Sequence, residues 1–489
     1  MQRSVPRVDS FVDGVRAPSN SSRCGELRNP GTGELLAHVP FATRAEVDEV
    51  VASSAAAFPG WRDTPVVERC RILFRYKQLL EENLEELAEW ISRENGKIPE
   101  EAQGSVRRGI EVVEFACGMS TLIQGSTVEN VSRGLDCASF RQPLGVCAGI
   151  TPFNFPAMVP MWLYPVAIAC GNAFVLKPSE KVPGAALRLA ELFAEAGLPP
   201  GVFNVVQGDR EAVEALVENV SVRAVSFVGS APVARYVYEA ASMAGKRVQA
   251  LAGAKNHLVA MPDCNLDKTA DAIIGSAFGS AGERCMAISA VVTVGEVHEP
   301  LMEKVRARAE SLQLGAAADG GSDLGPLISG PHRERVLEYI ETGLDEGARL
   351  ALDGRCHSGV DDLSGYFLGP SIFDGVSPKM KIYQDEIFGP VLCVIQAEDL
   401  DEAIEVVNAN RFGNGTAIFT ESGWAAREYQ NRVQVGMVGI NVGVPVPLAF
   451  FSFSGWRGSF FGDLHAHGRD GVNFYTEQKV VSSRWFGSG

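Results

Sequence analysis

The sequence predicts an α/β protein: two mostly parallel sheets covered by helices, with a separate β element. Three observations carry this. From about residue 144, short apolar strands alternate with helices. A second series of the same kind begins near residue 257. Two further strands, at 131–143 and 473–486, have no local partner. Strand–helix alternation is the signature of βαβ units and a parallel sheet, and unpartnered strands pair with each other or with another copy of the chain.

In chain order, residues 43–58 and 66–95 read as two amphipathic helices with apolar positions at helical spacing. Residues 144–150 and 172–178 read as strands, and 184–198 as a helix stopped by Gly197 and Pro199. Residues 201–208 and 222–230 are further strands, followed by a helix over 232–242. The second series runs from 257–263 through helices at 298–312, 333–350 and 401–410. The chain of 489 residues exceeds what one core supports. The expected division is a cofactor-binding domain over 1–125 and 144–255, a catalytic domain over 256–466, and a β flap over 126–143 and 467–489 that serves oligomerisation.

The composition is 46% hydrophobic and 21% charged, which is globular. A net charge of −16 without basic runs argues against nucleic acid and against anionic membrane surfaces. The longest apolar stretch, 155–170, is broken by prolines and too short to span a bilayer. Ten scattered cysteines with no C-x-x-C pair fit a reducing compartment and give no metal motif. Residues 1–11 hold no apolar run, so a cytoplasmic location is the expectation.

Six segments carry chemistry. In 278–286, FGSAGERCM, Cys285 follows small residues and Arg284. A thiol attacks as thiolate, which a neighbouring guanidinium favours, and glycines at 279 and 282 leave room for a substrate. A buried structural cysteine is the competing reading for any isolated thiol. In 151–156, TPFNFP, two prolines stiffen the loop around Asn154, whose amide is a candidate oxyanion donor; Asn in a plain turn is the alternative. In 175–180, VLKPSE, Lys177 ends a strand and Glu180 follows. A carboxylate there can accept from ribose hydroxyls and would repel a 2′-phosphate, favouring NAD over NADP; a solvated ion pair is the alternative. Gly229 and Ser230 close a strand before a helix and can cradle a pyrophosphate, although G-x-G-x-x-G is absent. Glu386 and Phe388, before Gly-Pro, can anchor a ribose and back a nicotinamide. In 102–116, Arg108 is placed with Arg284 near the cysteine, while Arg107 is expected to face elsewhere. A pair of arginines would select an acid-bearing substrate; a pair of ordinary salt-bridging surface residues is the alternative.

Taken together, these segments resemble the aldehyde dehydrogenase superfamily over nearly the whole chain. The strings ITPFNFPAMVPMW, GKRVQALAGAKNH, GSAGERCMA and PLAFFSFSGWRGSFFGDLHAHG are similar to its CoA-acylating methylmalonate-semialdehyde dehydrogenase branch. The resemblance implies that Cys285 is the nucleophile and that Asn154, with the Cys285 N–H, stabilises the oxyanion. Thr151, Phe153, Lys177, Glu180, Gly229, Ser230, Glu386 and Phe388 would then contact NAD, and Arg108 and Arg284 the substrate carboxylate. It also implies coenzyme A as co-substrate, no metal, and a homo-oligomer, dimer or tetramer. Hydrolytic members carry Glu-Leu-Gly-Gly; the matching stretch is read as Ala250 to Gly253, placing Ala250 where the glutamate stands. Without that base, water attacks a thioester slowly, while a thiol is already partly thiolate. Ala252 and Ala234 also replace glycines of the superfamily. The implied activity is NAD-dependent, CoA-acylating oxidative decarboxylation of malonate or methylmalonate semialdehyde. The alternatives are a hydrolytic enzyme using Glu283 or Glu386 as base, and a non-catalytic protein of the same fold.

Overall fold

The computed structural model describes residues 5–317, 320–357, 360 and 364–486, so the first four residues and the last three of the expected flap lie outside it. Two α/β units and a three-stranded sheet make up the molecule. In the first sheet the strands Phe203–Val205, Ala173–Lys177, Val146–Ile150, Val222–Val228 and Arg247–Leu251 lie side by side and parallel. Antiparallel strands close its edges, the hairpin of Ser10–Val12 and Val15–Ala17 at one side, with Val15–Ala17 outermost, and Phe460–Gly462 at the other. The chain thus returns to the first sheet before residue 466.

The second sheet runs Arg349–Leu352, Ser371–Asp374, Val391–Ala397, Ile288–Val294, Asn256–Ala260, Gly415–Phe419 and Met437–Ile440, all parallel except the first pair. Its central strands are buried on both faces, which is why they read as unbroken apolar runs. The two strands without local partners pair antiparallel, Thr476 opposite Pro143 through Arg484 opposite Leu135, with Thr127–Ser132 as third member.

Two differences from the sequence reading have physical causes. The second of the two expected helices is broken at Asn83 into Val66–Glu82 and Leu84–Asn95. The Asn83 amide donates back to the Leu79 carbonyl at 2.7 Å, competing with the helical ladder. The proline-containing stretch that read only as too short for a membrane is a helix, Met158–Ala169, buried on every side. No apolar stripe marks a helix with no polar face. Among the described residues, no helix is long and apolar enough to cross a membrane, and no group of three His, Cys, Asp or Glu side chains could hold a metal.

Candidate active site

Cys285 sits where the two units meet, half-buried, after a turn of unusual backbone. Ser280 (φ 53°), Ala281 (φ 53°) and Gly282 (φ 72°) are consecutively left-handed. For the two non-glycine residues this conformation costs roughly 1–3 kcal/mol each and persists only where the surroundings enforce it. The glycines do not make room for substrate. A Cβ on Gly279 would stand 2.5 Å from the Arg284 guanidinium, and one on Gly282 would stand 2.2 Å from the Gly389 carbonyl oxygen. They let the turn pack. The Cys285 carbonyl accepts from Asn256 at 2.9 Å and Asn414 at 3.0 Å, two residues that no local sequence signal had marked.

Burial pushes the Cys285 thiol up to about 12, with the Glu386 carboxylate adding to the effect. The backbone N–H groups of Cys285 and Met286 and the ammonium of Lys97 oppose it. The sequence reading assigned that electrostatic role to Arg284. Instead, the guanidinium turns to Glu101, with Nη2 to Oε1 at 2.6 Å. Lys97 is buried just before the Pro99–Cys117 helix, its ammonium 4.5 Å from the centre of the Phe155 ring.

Asn154 follows the Val146–Ile150 strand and is buried. Its amide donates one hydrogen bond to the Glu283 carbonyl at 2.8 Å. The second N–H of the same amide is available to an oxyanion. Two cavities meet at Cys285. A cleft of 480 Å³ is walled by Phe153, Asn154, Gly229, Ser230, Glu386 and Phe388 among others. A second cavity, of 470 Å³, runs to the other side of the thiol.

The cleft lies at the carboxyl ends of the first sheet, where nucleotides bind in open α/β proteins. Ser230 makes no side-chain cap to the Ala231–Met243 helix, so the N–H groups of its first turn remain available to an anion. Ala234 does not obstruct this turn: its methyl is buried in the core with Phe227. Ala252 lines the cleft. Lys177, buried, holds the Glu180 carboxylate at 3.4 Å, beyond the cleft wall at the end of the neighbouring strand. Thr151 is buried behind the wall, its hydroxyl without a hydrogen-bond partner. Phe388 (φ 63°) packs edge-on to Phe153 at 5.8 Å between centroids. His332, which sequence reasoning missed, donates from Nε2 to the Phe388 carbonyl at 2.7 Å and completes this aromatic wall. Burial raises the Glu386 carboxyl to about 7, and its Oε1 accepts from the Ala254 N–H at 3.0 Å. A carboxylate beside an open helix N-terminus, an aromatic wall and the Lys177–Glu180 pair together suit a dinucleotide.

The register of the Arg247–Leu251 strand corrects one assignment. Ala250 is wholly buried in the cluster on the far face of the sheet. Leu251 belongs to the cluster against which Cys285 packs. The side chain on the thiol's side is therefore leucine, and it too supplies no base. Glu283 lines neither cavity: its Oε1 accepts from the Ile328 N–H at 3.2 Å and lies 3.4 Å from His332.

The second cavity contains both selected arginines. Arg108 Nη1 pairs with Glu111 at 2.5 Å, and Nη2 donates to the Pro447 carbonyl at 2.7 Å. Arg284 and Arg108 face the same space as Cys285, walled by Phe155, Trp162 and Phe453. Arg107 also lines it, contrary to the expectation from helical spacing. A long side chain at the rim spans the 100° between neighbouring positions.

A thiol thus stands between a cleft at the carboxyl ends of a parallel sheet and a cavity lined by arginines, with a fixed amide beside it. The chain belongs to the aldehyde dehydrogenase family, whose model matches residues 17–481. It is 54% identical over 477 residues to malonate-semialdehyde dehydrogenase 2 of Geobacillus thermodenitrificans, covering 98% of this chain and 99% of that protein. It is 50% identical over 468 residues to malonate-semialdehyde dehydrogenase of Pseudomonas aeruginosa, covering 96% and 94%. A structure described as a methylmalonate-semialdehyde dehydrogenase of Sinorhizobium meliloti 1021 complexed with NAD superposes with a TM-score of 0.98, at 47% identity, over 100% of this chain and 99% of that one. The methylmalonate-semialdehyde dehydrogenase of Oceanimonas doudoroffii gives 0.97 at 47% identity, over 99% of each.

Proposed function

We propose that this protein oxidises malonate semialdehyde or its 2-methyl homologue with NAD, forms a thioester on Cys285, and delivers the decarboxylated acyl group to coenzyme A as acetyl-CoA or propionyl-CoA. The observation that carries this reading is the shared cavity of Cys285, Arg108 and Arg284. In a chain of net charge −16, three arginines against two carboxylates, Glu101 and Glu111, leave this cavity an excess of positive charge suited to a carboxylate.

The residues then act in sequence. Arg108 and Arg284 hold the carboxylate and orient the aldehyde carbon toward Cys285. The Cys285 thiolate adds to that carbon, and the Asn154 amide with the Cys285 N–H stabilises the oxyanion. Bound NAD supplies the hydride acceptor; Gly229, Ser230, Glu386 and Phe388 would hold it in the cleft, with Lys177 and Glu180 at the ribose, and Thr151 and Phe153 beside them. Loss of hydride leaves the acyl group on sulfur. The β-carboxylate leaves as CO2, its bonding electrons passing to the thioester carbonyl, and the α-carbon takes a proton. The thiolate of coenzyme A attacks the thioester and releases Cys285. Leucine at 251 supplies no base where hydrolytic members carry their glutamate, which favours the acylating reading over the hydrolytic one. For the assembly we place the three-stranded flap at a contact between identical subunits in a cytoplasmic dimer or tetramer. Its exposed Val128, Val131, Phe140 and Val480 support this.

The test is selectivity. NADH formation is measured with malonate semialdehyde, methylmalonate semialdehyde and propanal, before and after Arg108→Ala. The ratio of kcat/KM for semialdehyde over propanal is expected to fall about 10–100-fold, the worth of a charged hydrogen bond. An unchanged ratio contradicts the assigned role.

A further inference from the structure

The left-handed turn before Cys285 needs something to hold it, and the structure points to a side chain 179 positions before Ser280 in the chain. Glu101 lies in the first turn of the Pro99–Cys117 helix, on the other α/β unit. Its Oε1 accepts from the Ser280 N–H at 2.8 Å and from Arg284 Nη2 at 2.6 Å. Its Oε2 accepts from the Ser280 hydroxyl at 3.0 Å. The ring is closed by Arg284 Nε, which donates to the Ser280 oxygen at 3.2 Å, and the second Arg284 arm donates to the Gly275 carbonyl at 3.2 Å. The Glu101 side chain is only 14% exposed, so these bonds are shielded from water. Both ends of the ring line the substrate cavity with Cys285.

We propose that Glu101 is a positioning residue: one carboxylate locks the strained turn that presents Cys285 and at the same time holds the Arg284 guanidinium at the wall of the substrate cavity. The first half stands on geometry alone; the second rests on the reading of Arg284 as a carboxylate contact. The carboxylate is suited to both tasks. Two oxygens with about four acceptor sites can serve a backbone N–H, a hydroxyl and a guanidinium together. The guanidinium is planar, so fixing one arm and Nε fixes the direction of the rest.

The experiment uses the full-length protein with Glu101→Ala and Glu101→Gln. The rate of Cys285 alkylation by iodoacetamide at pH 8, followed by mass spectrometry of its peptide, requires neither substrate nor cofactor. With Glu101→Ala, alkylation and NADH formation from both malonate semialdehyde and propanal are expected to slow by at least about tenfold, as for a displaced nucleophile. Glu101→Gln retains an oxygen for the Ser280 N–H. Alkylation is then expected to return to within about threefold of the unsubstituted protein, while the semialdehyde-to-propanal ratio stays lowered about fivefold or more, because the charge-assisted bond to Arg284 is lost. Alkylation and both kcat/KM values unchanged in a folded Glu101→Ala protein overturn the proposal. So does a Glu101→Gln protein as slowly alkylated as Glu101→Ala, which would reduce the residue to support of the fold. Where Glu101→Ala does not fold, the ratio in Glu101→Gln decides: lowered supports, unchanged overturns. An unsubstituted protein with no preference for the semialdehyde over propanal would sink the substrate reading, and the alkylation rates would still decide the locking of the turn.

Discussion

Replacing Cys285 with alanine is expected to remove NADH formation from any aldehyde by at least about 10⁴-fold, the scale on which loss of a catalytic nucleophile is felt. NAD binding should survive, because the cleft walls other than the thiol are untouched. The pH dependence follows from the thiol's surroundings. Burial and Glu386 hold it up at about 12, so at neutral pH the ligand-free protein carries thiol, not thiolate. The thiolate fraction rises with pH, and alkylation of Cys285 should quicken about tenfold per pH unit between pH 7 and 9 without a plateau. The Glu386 carboxyl, raised to about 7, is ionised over most of that range and adds repulsion. A plateau below pH 8 would mean that a cation nearer than Lys97 activates the thiol.

The second large effect is that of Asn154. Its amide is fixed by the Glu283 carbonyl at 2.8 Å, on the backbone one residue before Arg284. Donor and nucleophile are thus tied to the same loop. Asn154→Ala should lower kcat about 10²–10³-fold, as loss of one oxyanion donor does, with little change in KM because the donor acts on charge that develops only after attack. Asn154→Asp should be no better, since a carboxylate would repel the oxyanion. Measurement of kcat and KM for both variants, with NAD affinity as a check on the cleft, settles it. A rise in KM at unchanged kcat would make Asn154 a binding residue.

The parts of this site that were legible in the sequence are those whose chemistry is local. Cys285 stands among small residues, Asn154 between prolines, and Gly229–Ser230 at a strand-to-helix turn, so chain neighbours alone suggest their roles. What was not legible depends on tertiary contact. Glu101 meets Ser280 only across the two units, and His332 reaches the Phe388 carbonyl from a different helix. Arg284 follows the rule that cations sit near thiols, yet its charge goes to Glu101, and the N–H groups of Cys285 and Met286, with a smaller part from Lys97, oppose the rise. Ala250 shows the sensitivity of register: a shift of one residue along a strand moves a side chain to the opposite face, and it is Leu251 that lies on the sheet face whose core cluster Cys285 packs against. The helix 158–169 escaped because burial on every side erases periodicity, and the break at Asn83 because a side-chain amide ended a helix that the apolar pattern continued.

The central claim is that the acyl group leaves Cys285 to a thiol and not to water. The most direct measurement is NADH formation from malonate semialdehyde with and without coenzyme A, followed from the first turnover, with the product identified. The account predicts about one NADH per site without coenzyme A, and sustained turnover with acetyl-CoA as product when it is present. Sustained turnover without coenzyme A, giving a free acid, would contradict it and leave Glu386 as the base to examine.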